Sequence, residues 1–236
     1  MRRGAESTAR RRIGWALAAG LVAGIAVGGA VLYWNPITAA PAVAEGEFDR
    51  ALHYALPAGA VVLTHGGGLP MTRRPDDVAE LWESALRSVA AGTLVLSGED
   101  GAPEAVGSRI TVPSERTDLL FEGVILDDYW LVTVPGEGSL FVVEQSNVWP
   151  TMKDTLLPAV LGRGWPGPRS YTPTEGPGIG GTALVIGATG RFAAQEGSAV
   201  ERYRLDRFTS AHGIEALAGE LDLRLLDSAP AAPPPP

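Results

Sequence analysis

The side chains able to do chemistry in this 236-residue chain are few and of a narrow kind. Cysteine is absent, which excludes a thiolate nucleophile, a disulfide framework and cysteine-ligated metal sites. The three histidines, His53, His65 and His212, are too scattered to form a metal-ligand pattern, so no metal site is expected. No G-x-S-x-G elbow, H-E-x-x-H helix or P-loop occurs. What remains are carboxyl and phenol groups on strand-like runs. Glu122, Glu144 and Tyr203 are the acid–base candidates, with Tyr129, Trp130, Phe141 and Asn147 as side chains that would contact a bound small molecule.

Glu144 is the sharpest of these. If the run from Leu140 to Gln145 alternates as a strand, Leu140, Val142 and Glu144 share one face and Phe141, Val143 and Gln145 share the other. A carboxyl on a face otherwise made of Leu and Val is partly desolvated, which raises its pKa and suits it to proton transfer near neutral pH. The plain alternative is that Glu144 lies at the strand end and reaches water. Likewise Glu122 reads by default as a solvated strand face, and Tyr129, Trp130 and Tyr203 as core or rim packing. Only one of the neighbours Tyr129 and Trp130 can point inward. Asp127 and Asp128 together read as a turn, and Arg202 and Arg204 as an outward charged face.

The elements that must position these groups are mostly strands. Thirty glycines and nineteen prolines favour a turn-rich β fold over a helical bundle. Two short helices are expected first, over Glu47 to Leu56 (Phe48, Leu52 and Leu56 on one face) and from Asp76 or Asp77 to Val89. Strand-like runs follow at Thr93–Ser97, Ser108–Val112, Asp118–Leu126, Tyr129–Val134, Ser139–Ser146, Thr182–Gly187, Ser198–Arg207 and Leu217–Leu226. Residues 135–138 (PGEG) form a hairpin turn, and 147–181 a long Pro- and Gly-rich excursion. Some eight strands with hairpin signals predict a barrel or a sandwich, and closure into a barrel would line its interior with alternate side chains.

Two glycine motifs look like nucleotide sites and are not. GPGIGG at 176–181 satisfies G-x-G-x-x-G, yet a strand-like run follows it where the fingerprint needs a helix. VIGATGR at 185–191 leaves too little chain for the rest of a dinucleotide-binding sheet. The same residues fit another pattern. GATGRFAAQEG at 187–197 resembles the G-G-T-G-x-F-x-x-A-x-G signature of the dirigent and allene oxide cyclase barrel superfamily, matching at Gly187, Thr189, Gly190, Phe192 and Gly197 and departing at Ala188 and Gln195. The resemblance implies an eight-stranded antiparallel β-barrel whose apolar cavity steers the cyclisation or coupling of a reactive hydrophobic substrate without a cofactor. Bacterial barrels of this type include cyclases of polyketide biosynthesis. Physically the signature is structural: glycines permit tight turns, and Phe192 can plug one end of the core.

The termini add a location. Five of the 19 basic side chains, Arg2, Arg3, Arg10, Arg11 and Arg12, stand in the first twelve residues against one of the 27 acidic ones, and the remainder is strongly acidic. Such a body argues against a nucleic-acid groove. Residues 13–34 carry no charge and as a helix would rise about 33 Å, enough for a bilayer core of about 30 Å. The positive-inside rule then keeps residues 1–12 cytoplasmic and exports the rest. Cleavage after Ala44, within a small-x-small site, is the rival reading and would release a secreted domain. A linker at 35–46, one domain at 47–227 and a Pro-rich disordered tail at 228–236 complete the plan. Glycines at 20, 24 and 28 offer a route to a homo-oligomer.

Two functional classes are therefore expected. One is a membrane-anchored, cofactor-independent cyclase or isomerase of a lipophilic, polyketide-like metabolite, working by confinement with one carboxyl or phenol assisting. The other is a non-catalytic exported protein that binds a lipid or a protein partner at the cell envelope.

Overall fold

A computed structural model describes residues 3–34, 49–55, 61–63, 89–193, 195–209 and 213–227. Helix α1 (Arg3–Trp34) runs unbroken for 32 residues over the uncharged stretch. Among the described residues no helix is long and apolar enough to cross a membrane.

The first expected short helix is a strand. β1 (Arg50–Ala55) buries Leu52 and Tyr54, two residues apart, and pairs antiparallel along its whole length with β11 (Gly213–Asp227). Period-two burial and a paired edge outweigh the four-residue spacing of Phe48, Leu52 and Leu56. The second expected helix, from Asp76 or Asp77, lies outside the described residues apart from its last position. The tail, the linker and the Ala44 site lie outside them too.

Beyond the short β2 (Val61–Leu63), the strands are β3 (Ala90–Ser97), β4 (Pro103–Pro113), β5 (Ile125–Val134), β6 (Gly138–Asn147), β7 (Arg169–Tyr171), β8 (Thr174–Gly176), β9 (Ala183–Ala188) and β10 (Gln195–Thr209). Hydrogen bonding runs in the order β3-β4-β5-β6-β9-β10-β11-β1, and β1 returns to β3 through His53 and Ser97. Eight antiparallel strands thus close into a barrel, and closure removes the exposed edges an open sheet would leave. β2 pairs β3, β7 pairs β10 and β8 pairs β6 beside the main ring.

The strand expected over Asp118–Leu126 is mostly a turn, and its last two residues, Ile125 and Leu126, open the same strand as Tyr129–Val134. Asp127 and Asp128 do not turn the chain; β5 passes straight through them, and Asp128 is fully buried. The turn comes earlier, where the carbonyl of Asp118 accepts from the backbone of Glu122 and Gly123 and its Oδ1 from Leu120 N at 2.8 Å. The long excursion also contains a helix, α2 (Trp149–Val160), with Pro150 in its first turn and Pro158 inside it.

The interior has two storeys. Inward residues along β5 run from Val134 and Val132, next to the 135–138 turn, through Trp130 to Asp128. Along β6 they run from Leu140 and Val142 to Glu144 and Ser146. The end next to the turn is apolar and takes in Leu52, Leu96, Val185, Ala199, Leu221 and Leu223. The signature segment closes this end. Phe192 is buried in the core, while Thr189 exchanges backbone and side-chain bonds with Ser139. Gly190 sits at φ +62°, and a Cβ there would overlap the backbone at Glu137 and Gly138, so only glycine fits. A Cβ at Gly187 would meet Phe141 at ordinary contact distance, so that position has no such demand. Gly197 lies within β10, opposite Leu225.

Candidate active site

The second storey is charged. Thr111, Asp128 and Glu144 are consecutive cross-strand partners on β4, β5 and β6, and Arg109, Trp130 and Val142 form the next row. Arg109 donates from Nε and Nη2 to the two oxygens of Asp128, each at 2.8 Å. Its Nη1 crosses the barrel to Glu201 Oε1 on β10, also at 2.8 Å. The guanidinium lies over the Trp130 ring, 4.9 Å from its centroid. Tyr54 on β1 donates its hydroxyl to the same Glu201 oxygen and tilts against Trp130. Ser146 and Thr111 donate to Asp128.

Glu144 completes the cluster. Trp130 Nε1 donates to its Oε2 at 3.2 Å and Thr174 Oγ1 to its Oε1 at 2.6 Å. That same Thr174 oxygen accepts the backbone N–H of Glu201 at 2.7 Å. Asp128, Glu144 and Glu201 are fully buried, and Arg109, with 21% of its side chain exposed, is where the cluster meets solvent.

One cation among three buried carboxyl groups governs their protonation. Burial alone would raise the Asp128 pKa, but the Arg109 charge and hydrogen bonds from Arg109, Ser146 and Thr111 hold it below its ordinary value. Burial raises Glu201, and the Asp128 charge adds to the rise while Arg109 opposes it. Arg109 makes its direct ion pairs with Asp128 and Glu201, so its charge opposes the rise at Glu144 only from a distance. Burial, then the charges of Glu201 and Asp128, push the Glu144 pKa up to about 8. Burial followed by the Glu201 charge lifts the Tyr54 phenol well above its usual value. At neutral pH the site thus holds an Asp128–Arg109 ion pair beside a protonated Glu144, an arrangement that can donate a proton in a water-poor setting.

Of the residues singled out in the sequence, Glu144 and Trp130 come together in this storey. Tyr203 sits at its margin, its hydroxyl 2.5 Å from Thr151 on α2, with its pKa raised chiefly by burial. Asn147 is buried but caps a loop: its amide donates to Glu122 O and Glu175 Oε1 and its Oδ1 accepts from Trp149 N. Three placements are corrections. Tyr129 and Phe141 project from the outer face, 46% and 42% exposed, because the parity that turns Trp130 and Val142 inward turns them out. Glu122 lies in the exposed turn before β5, paired with Arg116 at 2.6 Å. Arg109, Asp128, Glu201, Tyr54 and Thr174 were not singled out. Their signal was parity with buried neighbours, as in Ala105, Gly107 and Arg109 or Ala199 and Glu201.

A groove of about 390 Å³ lies elsewhere. Its lining includes His53, Arg202, Arg204 and Glu220, which the strand register puts on the outer face, and none of Arg109, Asp128, Glu144 or Glu201. Arg202 faces outward as expected, but it pairs with the buried Asp222 instead of ending in solvent.

No protein-family model matches the chain, and no curated protein matches it. Solved structures with a similar barrel include the pterocarpan synthase dirigent protein PsPTS1 (12% identity, TM-score 0.42, covering 78% of this chain and all of that one). They also include the Diels Alderase AbmU from Streptomyces koyangensis (10% identity, TM-score 0.38, covering 81% and 76%). A third is a heme-binding cyclase that catalyses a [4 + 2] cycloaddition in neoabyssomicin biosynthesis (11%, 0.36, covering 78% and 65%). At these values the fold assignment rests on the strand pairing of this chain itself.

Proposed function

We propose that the barrel is a cofactor-independent cyclase or isomerase, with Glu144 as its general acid. What supports the reading is the protonated Glu144 beside the Arg109–Asp128 pair, in a buried storey where Arg109 keeps 21% of its side chain exposed. A lipophilic, polyketide-like substrate enters past Arg109 and its electron-rich carbonyl or alkene end takes the Glu144 proton, the remaining carbon skeleton being held against Trp130 and the apolar residues below. Admission requires the side chains packed over this storey to give way. The location proposed with it is outside the cytoplasmic membrane, a reading that rests on the sequence alone, on the Arg-rich residues 1–12 and the uncharged residues 13–34.

A cyclisation or isomerisation that only moves a proton and rearranges bonds leaves the mass unchanged, so the reaction can be tested while its substrate is still unidentified. Deletion of the gene in its own host should convert one metabolite into an isomer of equal mass. The wild-type chain should restore the original, and Glu144→Gln, present at equal level, should not. Full restoration by Glu144→Gln would remove Glu144 as the acid. A metabolite profile unmoved by deletion would favour the non-catalytic envelope protein.

A further inference from the structure

One carboxyl oxygen in the charged storey is left over. Glu201 is fully buried, and its Oε1 accepts both the Tyr54 hydroxyl and Arg109 Nη1, yet its Oε2 has no hydrogen-bond partner. A buried carboxylate oxygen without a donor is costly, and a cluster this fully bonded elsewhere would not be expected to carry one without use. The neighbours fix which way it points. Tyr54 and Arg109 hold Oε1, so the carboxyl cannot rotate to trade its oxygens without breaking both bonds. Tyr54 is itself fixed: it lies across Gly219, its direct cross-strand partner, where any Cβ would overlap the phenol ring. Thr174 ties the Glu201 backbone to the Glu144 carboxyl, so the two groups belong to one site.

We infer that Glu201 is the second proton-transfer residue of this site, a base that works through its free Oε2 in the same storey as the Glu144 acid, with Tyr54 as the residue that positions it. The inference rests on the reading of Glu144 given above. The step balances without a co-reactant. Glu201 Oε2 takes a proton from an acidic C–H of the substrate, the electron pair left behind shifts through the conjugated system, and Glu144 protonates the atom where it arrives. A proton is gained at one carboxyl and lost at the other, and the product has the mass of the substrate. The substrate class is therefore a hydrophobic carbonyl compound with a conjugated, acidic C–H, such as an unsaturated or β-dicarbonyl chain.

The probe that tests this is 5-nitrobenzisoxazole, whose C3 proton is lost to a base as the N–O bond breaks to give a coloured phenoxide. The full chain should open it faster than free carboxylate in solution, with a rate that rises with pH. Glu201→Gln, which keeps the shape of the side chain, should lower the rate at least tenfold with an unchanged near-ultraviolet circular dichroism spectrum. Tyr54→Phe removes a hydrogen bond that favours the ionised carboxylate, so its pH–rate profile should move to higher pH. A residue that only supported the fold would leave that profile in place. If Glu144→Gln abolishes the reaction and folded Glu201→Gln does not, Glu201 is not the base, although Glu144 keeps its place. No base-dependent opening by the folded wild-type chain overturns the inference as well, and so does a Tyr54→Phe profile that does not move.

Discussion

Asp128 and Glu144 stand directly opposite each other on β5 and β6, two carboxyl groups side by side on the inner wall of a closed barrel. Direct cross-strand partners have their Cβ atoms about 5 Å apart, so both cannot ionise cheaply, and Arg109 decides between them by binding Asp128 through both oxygens. Asp128 takes the charge and Glu144 keeps the proton. The consequence for stability has opposite signs at the two residues. The depressed Asp128 pKa contributes stability above its ordinary value of 3.8, lost as the pH falls. The raised Glu144 pKa contributes stability that is complete below 4.5 and is lost as the pH rises towards about 8. Melting temperature should therefore peak at mildly acidic pH and decline to about pH 8, and Glu144→Gln should flatten that decline. A wild-type melting temperature that is level from pH 5 to 8 would contradict it.

Arg109 carries the largest expected stability effect. It joins β4 to β5 and to β10 through the lumen, and its removal leaves a buried Asp128 with no counter-charge. Arg109→Met should cost about 3–5 kcal/mol in urea unfolding, the range for breaking one side of a buried ion pair. Combining it with Asp128→Asn should recover part of the loss, since the orphaned charge is then gone. A double variant no more stable than Arg109→Met alone would mean that Arg109 acts mainly through packing on Trp130.

The barrel was legible in the sequence because strand alternation and turns are local. The runs at Ser139–Ser146 and Leu217–Leu226 sit inside the observed β6 and β11. The errors also have local causes. Leu119, Leu120 and Phe121 look like a strand but are exposed in a turn held by Asp118, and the prolines of α2 disguise a helix as a loop. β1 could be recognised only from its partners. The charged storey was mostly hidden for a different reason. A lone Arg or Glu at alternate strand positions reads the same whether that face meets water or the lumen, and closure of the ring settles which. Glu144 stood out because Leu140 and Val142 mark its face. Asp128 did not, because two adjacent aspartates are turn chemistry wherever tertiary structure does not override them.

The signature segment predicts a contrast between two glycines. Gly190 has φ +62° and backbone packed where a Cβ would go, whereas Gly187 has room beside Phe141. Gly190→Ala should destabilise by more than about 1 kcal/mol, and Gly187→Ala by a few tenths. Chemical denaturation of the two variants side by side measures the difference. Equal losses would mean that the segment closes the barrel through Phe192 and Thr189 rather than through the Gly190 turn.

Trp130 offers an optical report on the same site. Its indole N–H bonds to Glu144 Oε2, its ring lies under the Arg109 guanidinium, and only 2% of it is exposed. When Glu144 loses its proton, a negative charge appears at the end of that N–H bond, and the emission of the buried indole should shift. The chain has six tryptophans, so the Trp130 contribution is obtained by subtracting the spectrum of Trp130→Phe. The difference signal should titrate with a midpoint near the value of about 8 that burial, Glu201 and Asp128 give Glu144. Glu144→Gln should abolish the titration, and Asp128→Asn should move it to lower pH by removing the neighbouring charge. Trp130→Phe should itself cost about 1–3 kcal/mol, because Glu144 then loses a buried hydrogen-bond donor. A midpoint near 4.5, the ordinary glutamate value, would show that water reaches Glu144 freely. The carboxyl would then be ionised at neutral pH and unable to serve as the acid.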